Sequence, residues 1–266
     1  MAESRILATT TAVAATPSYS ILIAGTPGEV AAAQRLRHLV FAEEMGARLH
    51  TSVAGLDIDE FDAYCDHLVT RDESTGEVVG TYRMLLPQRS REIGRLYSDA
   101  EFDLASLADL RGAIVEAGRS CVHPEHRTGA VINLMWAGIA RYLHLHGYRW
   151  LAGCASVPLA DGGDTAACVW AVAQQRHLAP PRLRVAPRLP YPLPAAPTAD
   201  RAEQLAAMPP LLRGYLRLGA WIGGEPGHDP DFNVADFFVL LSLDRIDSRY
   251  LRHFLGETSP VAGPRS

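Results

Sequence analysis

Long apolar runs are missing from this 266-residue chain. Stretches such as 169–173 and 237–241 are typical, whereas a bilayer span needs ~20 apolar residues in succession. A leader is not evident either. Residues 1–18 are rich in Ala, Thr and Ser, with Arg5 as the one basic residue, and a secretory signal wants a charged start and a longer apolar stretch. A cytoplasmic protein is expected, with the inner membrane face as a surface it can touch peripherally. Basic excess is absent: 25 basic residues face 30 acidic ones, for a net charge of −5 and a pI near 6.0. That argues against general nucleic-acid binding while leaving room for a local patch that meets an acidic carrier protein. The four cysteines, Cys65, Cys121, Cys154 and Cys168, stand singly, so no redox pair or zinc ribbon is signalled, and buried thiols in a reducing compartment are expected. His123 with His126, and His144 with His146, lack the HExxH form, and residues at i and i+2 do not share a helix face. No metal site is expected. Internal repeats are absent too.

What is present reads as alternating strands and helices. The hydrophobic content of 48% suits an ordinary globular core. A strand is expected over 19–24, then Thr26-Pro27-Gly28-Glu29, where Thr is a good N-cap, Pro fits the first turn and Glu completes a capping box. The helix that follows places Arg37 one turn before Phe41, on one face, and Gly46 ends it. Residues 47–62 read as an acidic loop with Asp57, Asp59, Glu60 and Asp62. Strands over 67–70 and 78–85 form a hairpin that Pro87 closes. A short helix is expected near 104–110 and a strand over 114–122, stopped by Pro124. A long helix runs over 129–146, a strand over 150–156 and a helix over 164–175. Strand, helix, strand in that order is a βαβ unit, which makes its strands parallel. The Pro/Ala-rich stretch at 187–210 reads as a surface excursion within one domain over 19–256, because the elements beyond it bury too little for a second core. Those elements are a Pro-led segment to Gly219, a strand over 236–243 and a helix over 248–254. Residues 1–18 and 257–266 read as flexible tails.

The most informative segment is "VEAGRSCVHPEHRTGAVINLMWAGIA", residues 115–140. A strand delivers Glu116 and Arg119, and a turn then feeds a helix through "RTGA". Glycine at a helix start lets backbone N–H groups approach a ligand, and those groups with the helix dipole favour phosphate.

This segment resembles the acyl-carrier binding motif of GNAT acyltransferases. More specifically, the chain resembles the ornithine lipid acyltransferases, sometimes labelled haemolysin-like, which are relatives of the acyl-homoserine-lactone autoinducer synthases. The likeness runs from about Leu36 to Phe254 through "RHLVFAEEMGA", "DEFDAYCDHL", "VVGTYRMLLP", "EFDL", "EAGRSCVHPEHR", "GCAS" and "PPLLRGYLRLGA", in order. It implies an α/β (α+β) fold with a GNAT-like central mixed sheet flanked by helices. It implies N-acylation of an amino acid, ornithine, by a 3-hydroxyacyl chain carried on acyl carrier protein, giving lyso-ornithine lipid. Acyl-CoA or another amine is the close variant. No tightly bound cofactor is implied; the acyl-phosphopantetheine thioester is the donor.

The resemblance also implies roles. Arg37 and Phe41 match an Arg and a Phe of the first helix, Asp59 and Asp62 the acidic pair of the following loop, Arg83 an Arg of the central hairpin, and Glu116 with Arg119 a Glu-x-x-Arg strand. The autoinducer synthases carry a Trp in the loop after the first helix, whereas this chain has Trp only at 136, 150, 170 and 221. The ornithine-lipid branch therefore fits better than lactone formation on S-adenosylmethionine. Pantetheine is expected along the backbone of Ser120 to His123, past Cys121 and Val122, with its phosphate near Arg127, Thr128, Gly129 and Ala130.

Chemistry gives these residues a reading of their own. An amine attacks a thioester only when neutral, so a proton must leave, and a strand carboxylate can take it. Glu116 is the candidate, and an ion pair with Arg119 is its structural alternative. On a regular strand the two point to opposite faces, so a bulge is needed for both to face one cleft. Arg37, Arg83 and Arg119 offer forks for a substrate carboxylate, or partners for Asp59, Asp62 and Asp66. Arg83 lies in an apolar strand where an unpaired charge is costly. Cys121 offers a nucleophile, but a buried thiol is the commoner state, so direct transfer is preferred. A second reading is a non-catalytic, membrane-active protein. It rests on "PPLLRGYLRLGAWIGG", an interfacial or a packed core segment.

Overall fold

The computed structural model describes residues 4–10, 18–195, 206, 208–247, 250 and 254. Its strands in chain order are β1 (Arg5–Thr9), β2 (Tyr19–Ile23), β3 (Asp66–Asp72), β4 (Val78–Leu85), β5 (Phe102–Asp103), β6 (Ile114–Val122), β7 (Trp150–Pro158), β8 (Ala186–Pro187), β9 (Trp221–Ile222), β10 (Gly227–Asp229) and β11 (Val234–Ser242). The helices of α form are α1 (Pro27–His38), α2 (Pro87–Ile93), α3 (Gly129–His146), α4 (Asp164–Val172) and α5 (Pro210–Arg217). One mixed sheet runs β1-β2-β3-β4-β6-β7-β11-β10, with β9 also on β11, and β5 with β8 makes a separate two-stranded ribbon. Every pairing in the large sheet is antiparallel except β6 with β7.

Strand alternation sorts neighbouring side chains onto two faces. Ile21, Leu68, Met84, Val115 and Phe237 pack with α3, α4 and α5. Their chain neighbours Leu22 and Val69 lie under α1, while Leu85, Ile114 and Phe238 meet the connection between β4 and β6. The first helix starts as its sequence dictates. The Thr26 side chain accepts from Glu29 N–H, the Glu29 carboxylate accepts from Thr26 N–H, and Pro27 sits in the first turn. The helix then widens into a π-type stretch over Leu39–Glu44, and Gly46 takes φ 72° beyond it.

Several expectations need correction. Residues 5–9 are an edge strand on β2 rather than part of a flexible tail. Pro87 does not only close the hairpin: it opens α2, because a residue without an N–H and with φ preset suits the first helical turn. The helix expected near 104–110 is replaced by single 3-10 turns at Ala105–Leu107 and Arg111–Ala113. So short a segment cannot repay helix nucleation, and it is held instead by burying Leu104 and Leu107. The helix expected over 248–254 lies largely outside the described residues, as do 257–266 and residues 196–205 and 207 of the Pro-rich excursion.

The parallel pair of the βαβ unit parts early. β6 and β7 pair only at Ile114↔Trp150, Val115↔Leu151 and Glu116↔Ala152. At the branch point a Cβ on Gly153 would lie 2.2 Å from the Ala117 carbonyl oxygen, so only glycine allows the two backbones this close. Beyond it the strands diverge, while β11 stays paired to β7 from Trp150 to Pro158. The result is a wedge with unpaired backbone on both walls. Among the described residues, no helix is long and apolar enough to cross a membrane.

Candidate active site

The mouth of the wedge is shaped by a bulge. Thr81 faces Cys121 but Arg83 faces Gly118, so β6 carries one residue more than β4 there, and Arg119 takes φ 49°. Bulges re-aim side chains beside active sites, and this one turns Arg119 to the same sheet face as Glu116. The two do not pair, so the ion-pair alternative for Glu116 is corrected. Glu116 is 4% exposed. It accepts from Tyr97 N–H at 2.6 Å, Ser98 N–H at 2.9 Å and the Ser98 hydroxyl at 2.5 Å. Burial raises its pKa, opposed by those Ser98 and Tyr97 bonds. The carboxylate thus clasps the Tyr97–Ser98 turn against the sheet.

Arg119 pairs instead with the acidic loop. Its Nε lies 3.2 Å from Asp57 Oδ2 and one terminal nitrogen 3.3 Å from Asp59 Oδ2. The guanidinium is flanked by the rings of Tyr97 and Phe232, each 5.1 Å from centroid to Cζ, a cation–π sandwich. Phe41 reaches this assembly through Phe232, its ring 5.6 Å away and edge-on.

Arg37 is the deepest of the three arginines, with no exposed surface. It holds both Asp62 oxygens, at 2.9 and 2.7 Å, donates to the Asp57 carbonyl, and its Nε stands 2.8 Å from Asp57 Oδ2. Those last two atoms lack an aligned hydrogen bond, so that contact is ionic. Arg83 bridges Asp59 at 2.5 Å and Asp62 at 3.0 Å. Three arginines and three aspartates therefore form one neutral network between α1, the loop, β4 and β6. Burial alone would raise the Asp62 pKa, but Arg37 and Arg83 override it and hold the carboxyl well below its usual range. The network's outward edge is Arg119 and Asp59, whose side chains are 14% and 22% exposed.

Most of the acceptor-side residues named from sequence are brought together; Asp66 and Arg37 depart from the expected picture. Asp66 sits on the opposite face, where its carboxylate accepts from the Tyr142 hydroxyl of α3 at 2.6 Å; it lies two residues before Leu68, whose side chain packs on that face. Arg37 is sealed from solvent, so it braces the loop rather than meeting a substrate. Asp57 was legible only as part of an acidic run, yet it joins Arg37 to Arg119. Tyr97, Ser98 and Asp236 carried no local signal, and Cys154 was legible only as a lone thiol within "GCAS".

On the other side of the bulge, burial pushes the Cys121 thiol up to about 12. It packs with Leu36, Val40 and Phe41, which leaves it a protonated core thiol at neutral pH. Val122 faces the core near α3. The Thr128 hydroxyl accepts from Val131 N–H as the cap of α3. A Cβ on Gly129 would meet nothing within 4 Å, nor would one on Gly118. Arg127 forks onto Glu44 at 2.7 and 2.5 Å and donates to the Val122 carbonyl at 3.1 Å. The amphipathic segment at 209–224 is core rather than interfacial. Leu212 and Leu216 are buried, and the Tyr215 hydroxyl meets that of Tyr82 at 2.7 Å.

Comparison with known proteins agrees with this fold. Residues 36–137 match the family model described as "Acetyltransferase (GNAT) domain". The chain is 40% identical over 250 residues to the L-ornithine N(alpha)-acyltransferase of Rhodobacter capsulatus, covering 89% of this chain and 95% of the relative. It is 34% identical over 257 residues to the enzyme of that name from Brucella abortus, covering 91% and 90%. Among solved structures it is similar in fold to the acyl-homoserine-lactone synthase LasI, with TM-score 0.51 at 14% identity over 94% of this chain and all of that one.

Proposed function

The chain belongs to the GNAT-fold L-ornithine N(alpha)-acyltransferase family and is an N-acyltransferase, and on that premise we propose that it moves a 3-hydroxyacyl group from acyl carrier protein to the α-amine of ornithine, giving lyso-ornithine lipid. The observation that carries this reading is the wedge. Past Glu116↔Ala152 the parallel strands leave N–H and C=O groups unpaired on facing walls, which suits the amide-bearing pantetheine arm by strand-like pairing. The start of α3 stands beside it with a side-chain-free residue at Gly129, where backbone N–H groups and the helix dipole suit a phosphate. Arg119, with Asp59, edges the acceptor side; Arg37, Arg83, Asp57 and Asp62 hold it in place. Glu116 is a positioning residue that fixes Tyr97, and through it the ring flanking Arg119. Cys121, the thiol beside the bulge, is a buried core group, which favours direct attack of the amine on the thioester: the C–N bond forms, the C–S bond breaks and the carrier leaves as a thiol, taking up the proton that the amine gives up.

The test is thiol release from 3-hydroxyacyl carrier protein on adding ornithine, with the acyl-ornithine identified by mass. The chain contains no lysine, so an amide formed in the assay does not arise from its own side chains. Release without an acyl-amino acid would reject the transfer, and faster turnover with acyl-CoA would reassign the donor. Gly129→Val is expected to raise the KM for the donor severalfold and leave that for ornithine unchanged. Its Cβ enters open space, so the fold tolerates the change and only ligand approach suffers. Unchanged donor kinetics would place the phosphate elsewhere.

A further inference from the structure

Three carboxyl groups outside the arginine network lie together on the acceptor face. Glu101, just after the Tyr97–Ala100 turn, Asp229 on β10 and Asp236 on β11 bring oxygens within 4.8 Å of one another. Asp236 is 3% exposed, and its Oδ1 is buried without a hydrogen-bond partner. Asp229 is aimed by its own turn, accepting from Asp231 and Phe232 N–H at 2.9 and 3.1 Å. Among the described residues, no arginine or histidine forms an ion pair with any of the three. Burial and the neighbouring Asp236 raise the pKa of Glu101, and burial with the Asp229 charge raises that of Asp236 against hydrogen bonds from Ser156 and Glu101 and the charge of Arg119. Buried acidic groups of this kind want a cation.

Their place relative to the wedge says which cation. Asp236 lies opposite Ser156 on β7, on the face that carries Ala152 and Cys154. The Cys154 thiol donates to the Ser98 hydroxyl at 3.3 Å, and that hydroxyl donates to Glu116. A continuous floor therefore leads from the wedge at Glu116 to the carboxyl group. β11 is one strand spacing beyond β7, about 5 Å, and Asp236 stands level with Ser156, four residues along β7 from the Glu116↔Ala152 pair where the wedge opens.

We propose that Glu101, Asp229 and Asp236 form the subsite for a second cationic group on the acceptor, the side-chain ammonium of a dibasic amino acid. The proposal rests on the reading that an amino acid such as ornithine accepts the acyl group at its α-amine. It adds a selection rule: the site binds the far amine in a buried carboxyl pocket and thereby leaves the α-amine to react at the wedge.

The experiment compares kcat/KM for ornithine and for norvaline, which has the same carbon chain without the terminal amine, in the wild type, Asp236→Asn and Glu101→Gln. The wild type should prefer ornithine. Each variant should lose on the order of 30-fold or more with ornithine, as expected when one partner of a buried charge pair is removed. The loss should fall mainly in KM and leave norvaline unchanged. Melting curves should show both variants folded, because each substitution keeps the side chain's size and its capacity to hydrogen-bond. An equal fall for both amino acids would make the group a proton acceptor or a structural element and overturn the proposal. So would an unchanged preference, or a wild-type activity lost in EDTA and restored by Mg²⁺, which would make it a metal site. If the wild type acylates neither amino acid, the functional reading fails and this inference with it. If it acylates ornithine and the variants keep the preference, this inference alone fails.

Discussion

Replacing Arg37 by methionine is expected to lower the thermal midpoint by on the order of 10 °C, the equivalent of about 3–5 kcal/mol in a chain of this size. Arg37 is fully buried and is the nearest positive charge to both Asp57 and Asp62. Methionine fills the space and leaves two buried carboxylates facing each other with Arg83 and Arg119 as remaining partners. The loss is a failure of compensation, so the double variant Arg37→Met with Asp62→Asn should recover part of it. The pH dependence has a definite sign. The folded pKa of Asp62 is depressed, so its contribution is complete above the ordinary carboxylate pKa and is lost progressively as pH falls from there through the depressed folded value. The gap between wild type and Arg37→Met should therefore be full at neutral pH and narrow in acid. Calorimetry from pH 7 to pH 3 checks this. A midpoint unmoved at pH 7 would mean that the network contributes nothing to the fold.

The second large effect concerns turnover. Glu116→Gln is expected to lower kcat by ~10²-fold or more, within the range found when acid–base or positioning groups are lost, and raising the pH should not restore it. Both Glu116 oxygens receive donors. An amide replaces one acceptor by an NH₂ that points at a backbone N–H, so the Tyr97–Ser98 turn must move. Tyr97 then leaves Arg119, and the acceptor side loses its shape. A lost general base would behave otherwise. Alkaline pH supplies more neutral amine and would recover part of the rate. Partial recovery at high pH therefore assigns Glu116 the proton-accepting role. Normal kcat and KM across the whole range would remove it from the mechanism. Tyr97→Phe is the companion measurement: it keeps the ring over Arg119 and should cost far less than Glu116→Gln.

These outcomes separate residues that the sequence alone treats alike. Arg37, Arg83 and Arg119 each read as a fork for a carboxylate. Burial divides them: Arg37 is inside, Arg83 is nearly so, and Arg119 reaches the cleft. The same division holds among the acids. Asp59 stands at the outer edge, Asp62 is locked between two arginines, and Asp66 belongs to the other face of the sheet.

Local chemistry was enough to read the capping box at Thr26 and Glu29, the nine-residue strand ending before Pro124, and the glycine-led helix at 129. Each depends on residues within one or two turns of one another, and each element forms where its own side chains and backbone demand it. The ordered blocks of residues likewise carried the family and the mixed sheet. The tertiary structure decided what depends on chain crossings. It set where the parallel strands part, because Gly153 of one strand meets the Ala117 carbonyl of the other. It sent Asp57 to Arg37 and Arg119 across distances of 20 and 62 residues. It also gathered Glu101, Asp229 and Asp236 from a turn and two strands. No spacing rule links those positions in the chain; they meet because strand pairing and a covering turn bring their side chains to one buried face, where each charge must find a partner or a proton.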